Sequence, residues 1–178
     1  MKIFKILALA TLTIAATSCS SDDDAGTQAS TASIDGAYVL SSMVSTPAVD
    51  LNGDGTSNSD LLMESNCFDS MAISLNSNGT FSSNVSTLEF DSMGNISNCA
   101  SRTDSGTWTF SDPTLTLTVN IPGGSATENR QVTTTVVGGI ITEFSFDISE
   151  TEADQYVNDP GNTSGSNITG LTLGFSRI

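Results

Sequence analysis

From residue 34 onward, apolar and polar side chains alternate in short runs separated by turn residues. "MAISL" sets Met71, Ile73 and Leu75 against Ala72 and Ser74. "TLTLTVNI" sets Leu115, Leu117, Val119 and Ile121 against Thr and Asn, and "IITEFSFDI" sets Phe144, Phe146 and Ile148 against Glu143, Ser145 and Asp147. In "GTWTF", Trp108 and Phe110 are separated only by Thr109, so in an extended chain both point one way. "AYVLSSMV", "TFSSNVSTLEF", "RQVTTTVV" and "ITGLTLGFSRI" are runs of the same kind, set off by turns such as Asp35-Gly36, "NSNG" and a Pro-Gly-Gly. A period of two carried by Thr, Val, Ile and Phe predicts half-buried antiparallel strands. Helical periodicity is confined to 60–66 and "TEADQYV", one or two turns each. About eight strands in a sequential meander, with little helix, predict an all-β antiparallel fold, an up-and-down barrel or a sandwich. The largest interruption, 150–167, reads as a long polar loop, a kind that is often functional.

The N-terminus follows a different pattern. Met1 to Lys5 is basic and Ile6 to Ala16 is apolar, too short to span a bilayer as a helix but of signal-peptide length. Ala16-Thr17-Ser18-Cys19 resembles the lipobox of bacterial lipoproteins, with Ala16 where that family usually has Leu. The resemblance implies a signal peptide at 1–18 and acylation of Cys19 by fatty acids such as palmitate. Residues 19–33 then form a tether, "SSDDDAGTQASTAS" after the Cys, too polar to offset the entropy of ordering. A flexible linker of this length spans roughly 20 Å. Asp22-Asp23-Asp24 resembles the sorting signals of some Gram-negative surface lipoproteins. The expected location is the outer membrane, lipid-anchored, at the cell surface if the triplet acts as a signal and on either face if it is only a solvated tether.

Removing the signal removes both lysines. Three Arg then face 20 acidic residues, a formal charge of −17. With no basic patch to release counterions, nucleic acid is excluded as a partner. Such a charge favours solubility, self-repulsion and a monomer. Residues 34–178 are enough for one domain with a real core.

The chain has no His. That removes the usual general base near neutral pH, the Ser-His and Cys-His nucleophile systems and the commonest zinc ligand. The acids sit mostly in turns or on strand faces opposite the apolar side, so no buried acidic pair is predicted and the chain is not read as an enzyme. With Cys19 acylated, Cys67 and Cys99 remain as a pair, and export would place them in an oxidising compartment as a disulfide.

One stretch, "DLNGDGTSNSD", carries a side-chain oxygen at every second position from Asp50 to Asp60. An EF-hand-type loop needs oxygens at positions 1, 3 and 5, Gly at 6, a carbonyl at 7, a ligand at 9 and a bidentate acid at 12. Asp50, Asn52, Asp54, Gly55, Thr56 and Asn58 stand at the first six of these positions; position 12 is Leu61, with Asp60 one residue early and Glu64 a turn later. The stretch is either a calcium loop closed by Asp60 or Glu64, or a polar turn whose Asp and Asn bond their own backbone. It also resembles the calcium loops of dockerin modules, which share Asp-x-Asn-x-Asp-Gly. Asp69-Ser70-Met71 and Asp91-Ser92-Met93 resemble an O-glycosylation tripeptide, or are plain turn residues.

"IDGAYVLSSM" resembles the Gly-x-Trp-x-Leu first strand of lipocalin-like domains, with Tyr38 in the Trp position. "VDLNGDGTSNSDLLMESNCFDSMAISLNSNGTFS", "SGTWTF" and the terminal "GFSRI" are similar to small lipocalin-like surface lipoproteins of Gram-negative bacteria. The resemblance implies an up-and-down lipocalin-like β-barrel and a binding role. Two functions follow as expectations: a barrel holding a small apolar ligand, or a structural or adhesive surface protein with a solid core whose acidic loops meet calcium or glycans.

Overall fold

Alternation of side chains puts one face of each strand inward, and the strands close into a ring around those inner faces. The computed structural model describes residues 32–159, 161 and 164–178. The predicted signal peptide, Cys19 and the tether up to residue 31 lie outside the described residues. Strand β1 (Gly36–Val49) is followed by β2 (Asn58–Asp60), β3 (Ala72–Leu75), β4 (Thr80–Phe90), β5 (Ile96–Ser111), β6 (Thr114–Ile121), β7 (Gly124–Val137) and β8 (Ile140–Ser149). A short helix α1 (Glu150–Ala153), β9 (Val157–Asn158) and β10 (Gly170–Arg177) complete the order. From β3 to β8 each strand pairs antiparallel with the next; β8 pairs with β10, β10 with β1 and β1 with β3. The result is a closed antiparallel barrel of eight strands. Strand β2 extends the pairing of β1, and β9 lies parallel to β4, outside the ring.

Inward positions do not keep one parity throughout. A register shift between Leu40 and Ser42 moves the inner face of β1 from Tyr38 and Leu40 to Met43 and Ser45, which are 0% and 3% exposed. Along β5 the inner face runs through Arg102, Asp104, Gly106, Trp108 and Phe110 by pairing with β4 and β6. At Gly106 the neighbouring strand approaches so closely that a Cβ would stand 1.9 Å from the Thr118 carbonyl oxygen and 3.0 Å from the Phe81 ring. A side chain there has no room, so the ring of Phe81 packs where it would have been.

The ring has two unlike ends. One, the base, holds residues 32–35, Ile178 and the β3–β4, β5–β6 and β7–β8 turns. Tyr38 plugs it. Its hydroxyl lies 2.9 Å from the Ile34 carbonyl and 3.0 Å from that of Ile141, sharing its proton between them, and accepts from Arg177 Nη1 at 3.4 Å. Burial pushes the Tyr38 phenol above its usual pKa, with the Arg177 charge opposing the shift in part. Above it an aromatic group crosses β1, β8 and β10: Tyr38 meets Phe144 edge-on at 4.9 Å, and Phe144 stacks on Phe175 at 5.2 Å. Such pairs add roughly 0.5–1.5 kcal/mol beyond their buried area.

The other end, the mouth, carries the 50–71 excursion and the 150–169 segment. Cys67, on the 3-10 turn Asn66–Phe68, is joined to Cys99 on β5. Closing a loop of this length stabilises by about 3–4 kcal/mol in the chain-entropy account. The 150–167 region departs from the polar loop expected of it. Glu152 accepts from the Ser149 backbone at 3.4 Å and from its hydroxyl at 2.9 Å, starting α1. Ala153, Tyr156 and Val157 are then buried over the barrel.

Tyr38→Phe keeps the ring but takes the hydroxyl from the Ile34 carbonyl and leaves that of Ile141 the longer bond from Arg177 Nη1, and should cost about 1–3 kcal/mol, read as a lowered urea midpoint at unchanged slope.

Candidate functional site

The pairing of β4 to β7 brings charged side chains to the inner face just below the mouth. Ser83 is opposite Asp104, Val85 opposite Arg102, Leu117 opposite Glu128 and Leu115 opposite Arg130. Cross-strand partners share a face, so two Arg and two acids stand beside the apolar wall. This corrects the expectation that the strand acids lie opposite the apolar side: Asp104 and Glu128 point in. The missed signal was present, because stepping back by twos from Trp108 reaches Asp104 and Arg102, and stepping back from Val132 reaches Arg130 and Glu128.

These groups line a cup of about 60 Å³. Its floor is Phe81, Leu115, Leu117, Phe146 and Phe175, and its rim is Arg102, Asp104, Glu128, Arg130, Gln155 and Tyr156. The rim charges are matched within the protein. Arg130 Nη2 meets Glu128 Oε2 at 2.9 Å and its Nη1 meets Glu152 Oε1 at 3.0 Å, with its guanidinium 5.7 Å over the Phe146 ring. Arg102 Nε meets Asp104 Oδ2 at 3.0 Å, and its Nη2 donates to Gln155 Oε1 at 3.3 Å. Burial disfavours the Arg130 cation, but the Glu128 and Glu152 carboxylates outweigh that, so its pKa lies above the usual value. Burial likewise disfavours the Glu152 carboxylate; the Ser149 hydroxyl and Arg130 outweigh it, and the pKa falls below the usual value.

Of the lining hydroxyls, those of Ser83 and Tyr156 are left over, and Tyr156 is the more enclosed residue. It is 9% exposed, and burial raises its pKa against the partial opposition of Arg130. Its backbone is fixed: the Tyr156 carbonyl accepts from Leu88 N at 2.7 Å, and the Gln155 carbonyl accepts from the Thr87 hydroxyl at 2.6 Å. Among the described residues its hydroxyl makes no hydrogen bond, and it lines the cup.

The 50–60 loop forms a second candidate site. Asp50 Oδ1 accepts from Gly53 N and Oδ2 from Gly55 N, both at 2.8 Å. Asn52 Oδ1 accepts from Asp54 N at 2.9 Å, and Asp54 Oδ1 from Thr56 N at 2.8 Å. Gly53 and Gly55 supply the positive φ of the turn. Asp50, Asn52, Asp54 and Thr56 thus gather in one turn. Asp60 is drawn away: its Oδ1 accepts from Met43 N and Leu62 N. Asn58 donates to Glu64 Oε1. Glu64 is 4% exposed, and its Oε2 accepts from Leu51 N at 2.9 Å and Asn52 N at 3.3 Å. Glu64 therefore holds the start of the loop from beneath. Among the described residues no three His, Cys, Asp or Glu side chains form a metal-holding group. Of the two tripeptide serines, Ser70 accepts from Asn84 Nδ2 at 3.3 Å, and Ser92 is exposed in the β4–β5 turn.

Glu64→Ala leaves the Leu51 and Asn52 N–H groups unpaired and should cost about 2–4 kcal/mol. Glu64→Gln keeps an acceptor for them and should cost much less. Chemical unfolding of the two variants checks the difference.

The model of a family described as a domain of unknown function, DUF5004, matches residues 14–154. The match and the closed barrel together fit a lipocalin-like fold. No curated protein and no solved structure matches the chain. The matched span stops before β10, the strand that closes the ring. It covers most of the chain, which therefore belongs to the DUF5004 family of domains of unknown function.

Proposed function

We propose that this is a non-enzymatic binding protein, held at the outer membrane by acylated Cys19, whose barrel mouth takes a small ligand with a short apolar tip and a neutral polar head. The observation that carries the reading is the cup, with its apolar floor, internally matched charges and an unpartnered Tyr156 hydroxyl. The ligand is limited in size. Pockets for drug-sized molecules run to roughly 300–1,000 Å³, and this cup holds about 60 Å³, enough for a branched alkyl end rather than a whole lipid. Its head is neutral because each rim guanidinium already has a carboxylate, so a charged head would find its counter-charge engaged. The absence of His and the lowered pKa of Glu152 argue against acid catalysis at this rim.

The test is ligand-observed NMR with short-chain alcohols, amides, carboxylates and simple sugars. Saturable binding of a neutral amphiphile is expected, weakened in Tyr156→Phe and lost in Leu117→Trp, which fills the floor. Absence of saturable binding in all classes, or binding indifferent to a folded Leu117→Trp, would refute the reading.

A second reading rests on the inward turn of Asp50, Asn52 and Asp54: a surface protein whose loop is stiffened by calcium. The donors fit a weak site, with two carboxylates and no closing acid within the turn. Tenfold excess over the dissociation constant would add about 1.4 kcal/mol. A rise in melting temperature with calcium but not magnesium, absent in Asp54→Ala, supports it; identical curves in EDTA and calcium reject it.

A further inference from the structure

We infer that the β7–β8 hairpin is the foot on which the barrel stands on a lipid bilayer. Gly138 and Gly139, at φ 61° and 80°, make a two-residue turn at the base, the geometry that tightens a hairpin without splaying its strands. The turn carries Val137 and Ile140 as a cross-strand pair, with Val136 beside them. These three are 62%, 44% and 48% exposed, and Ile178, at the same end, is 79% exposed.

Exposure alone does not choose a partner, because the mouth also bears exposed apolar side chains: Met63 in the 50–71 excursion, Met93 and Ile96 on the β4–β5 hairpin, and Ile121 at the end of β6. The course of the chain chooses. Ser33 bridges to Ile140, its N–H donates to the Gly139 carbonyl at 3.2 Å and its carbonyl accepts from Ile141 N at 3.0 Å. The polypeptide thus enters the barrel against the hairpin itself. The inference rests on the proposed acylation of Cys19. The chain from Cys19 therefore reaches the barrel at this end, and a flexible linker of this length has a root-mean-square span of roughly 20 Å.

Charge selects the mode of contact. Arg177, the Arg at the base, directs Nη1 to the Tyr38 hydroxyl and the Ile141 carbonyl, both at 3.4 Å. The described chain has no Lys. Attachment is therefore by aliphatic side chains to the interface, not by basic groups to anionic lipid. The cup then faces away from the bilayer.

The experiment uses the acylated full chain in phosphatidylcholine vesicles, with Val137→Trp and Ile121→Trp made separately. Trp108, the one Trp of the chain, donates its indole N–H to the Asn76 carbonyl in the β3–β4 turn at the base, so both variants also carry Trp108→Phe and the introduced indole alone reports. The inference expects the indole of Val137→Trp to shift its emission to the blue and to be quenched by brominated phosphatidylcholine, while that of Ile121→Trp does neither. A chain that floats with the vesicles but shows no quenching at 137 overturns the inference alone. A chain that fails to float overturns the anchor and the inference together. A blue shift at 137 that needs no vesicles and grows with protein concentration assigns the hairpin to a second copy and overturns the bilayer.

Discussion

The pairing of β10 with β1, from Tyr38↔Arg177 to Thr46↔Gly170, is what turns a row of strands into a ring. Without it two strands would present unpaired edges, and the inner faces of both would be wet. With it, the inner face is shared by all eight strands. The base can then be plugged by one phenol and one aromatic stack, and the mouth becomes the place where the inner surface meets solvent. The cup, the lid-like 150–159 segment and the disulfide all lie at that second end because the first is already full.

The mouth also organises the charge of the molecule. Two of the three Arg side chains stand on the inner face, each bonded to a carboxylate. Most of the other described acids, the buried Glu64 apart, face solvent without a basic partner. Burying a guanidinium is costly unless it is paired; Arg130 is paired twice and lies over an aromatic face. The two rim guanidiniums are thus held by three carboxylates, which supports the proposed recognition of a neutral head.

The strands were legible because their inner faces are mostly Leu, Ile, Val and Phe, as in Leu115, Leu117, Phe144 and Phe146. What hid the cup was the habit of assigning a charged strand residue to solvent. Arg102 and Asp104 lie in phase with Trp108, but their charge masked the phase, and only the facing strands reveal it. The shift after Leu40 is illegible for another reason: an extra residue changes parity without changing composition. In the 50–60 loop the spacing of oxygens was legible, while their use was not. Side-chain oxygens at alternate positions serve a cation and a backbone turn equally well, and the choice for Asp60 depends on Met43 in a strand with no sequence cue. The 150–157 segment reads as polar because Ala153 and the adjacent Tyr156 and Val157 stand among acids, Thr and Gln, yet all three are buried.

Closure between the two ends of the domain has a consequence for the order of events in folding. Residues 170–177 complete the ladder of residues 38–46, so the longest-range contact in the domain is also the one that finishes it. Contacts this distant in sequence are slow to form, since loop entropy must be lost before any pairing is gained. A chain emerging from its N-terminus must keep β1 half-paired until its last strand is free. For that interval its edge is open to any other strand nearby. In the finished barrel that edge of β1 is closed by β10; its exposure belongs to time rather than to structure.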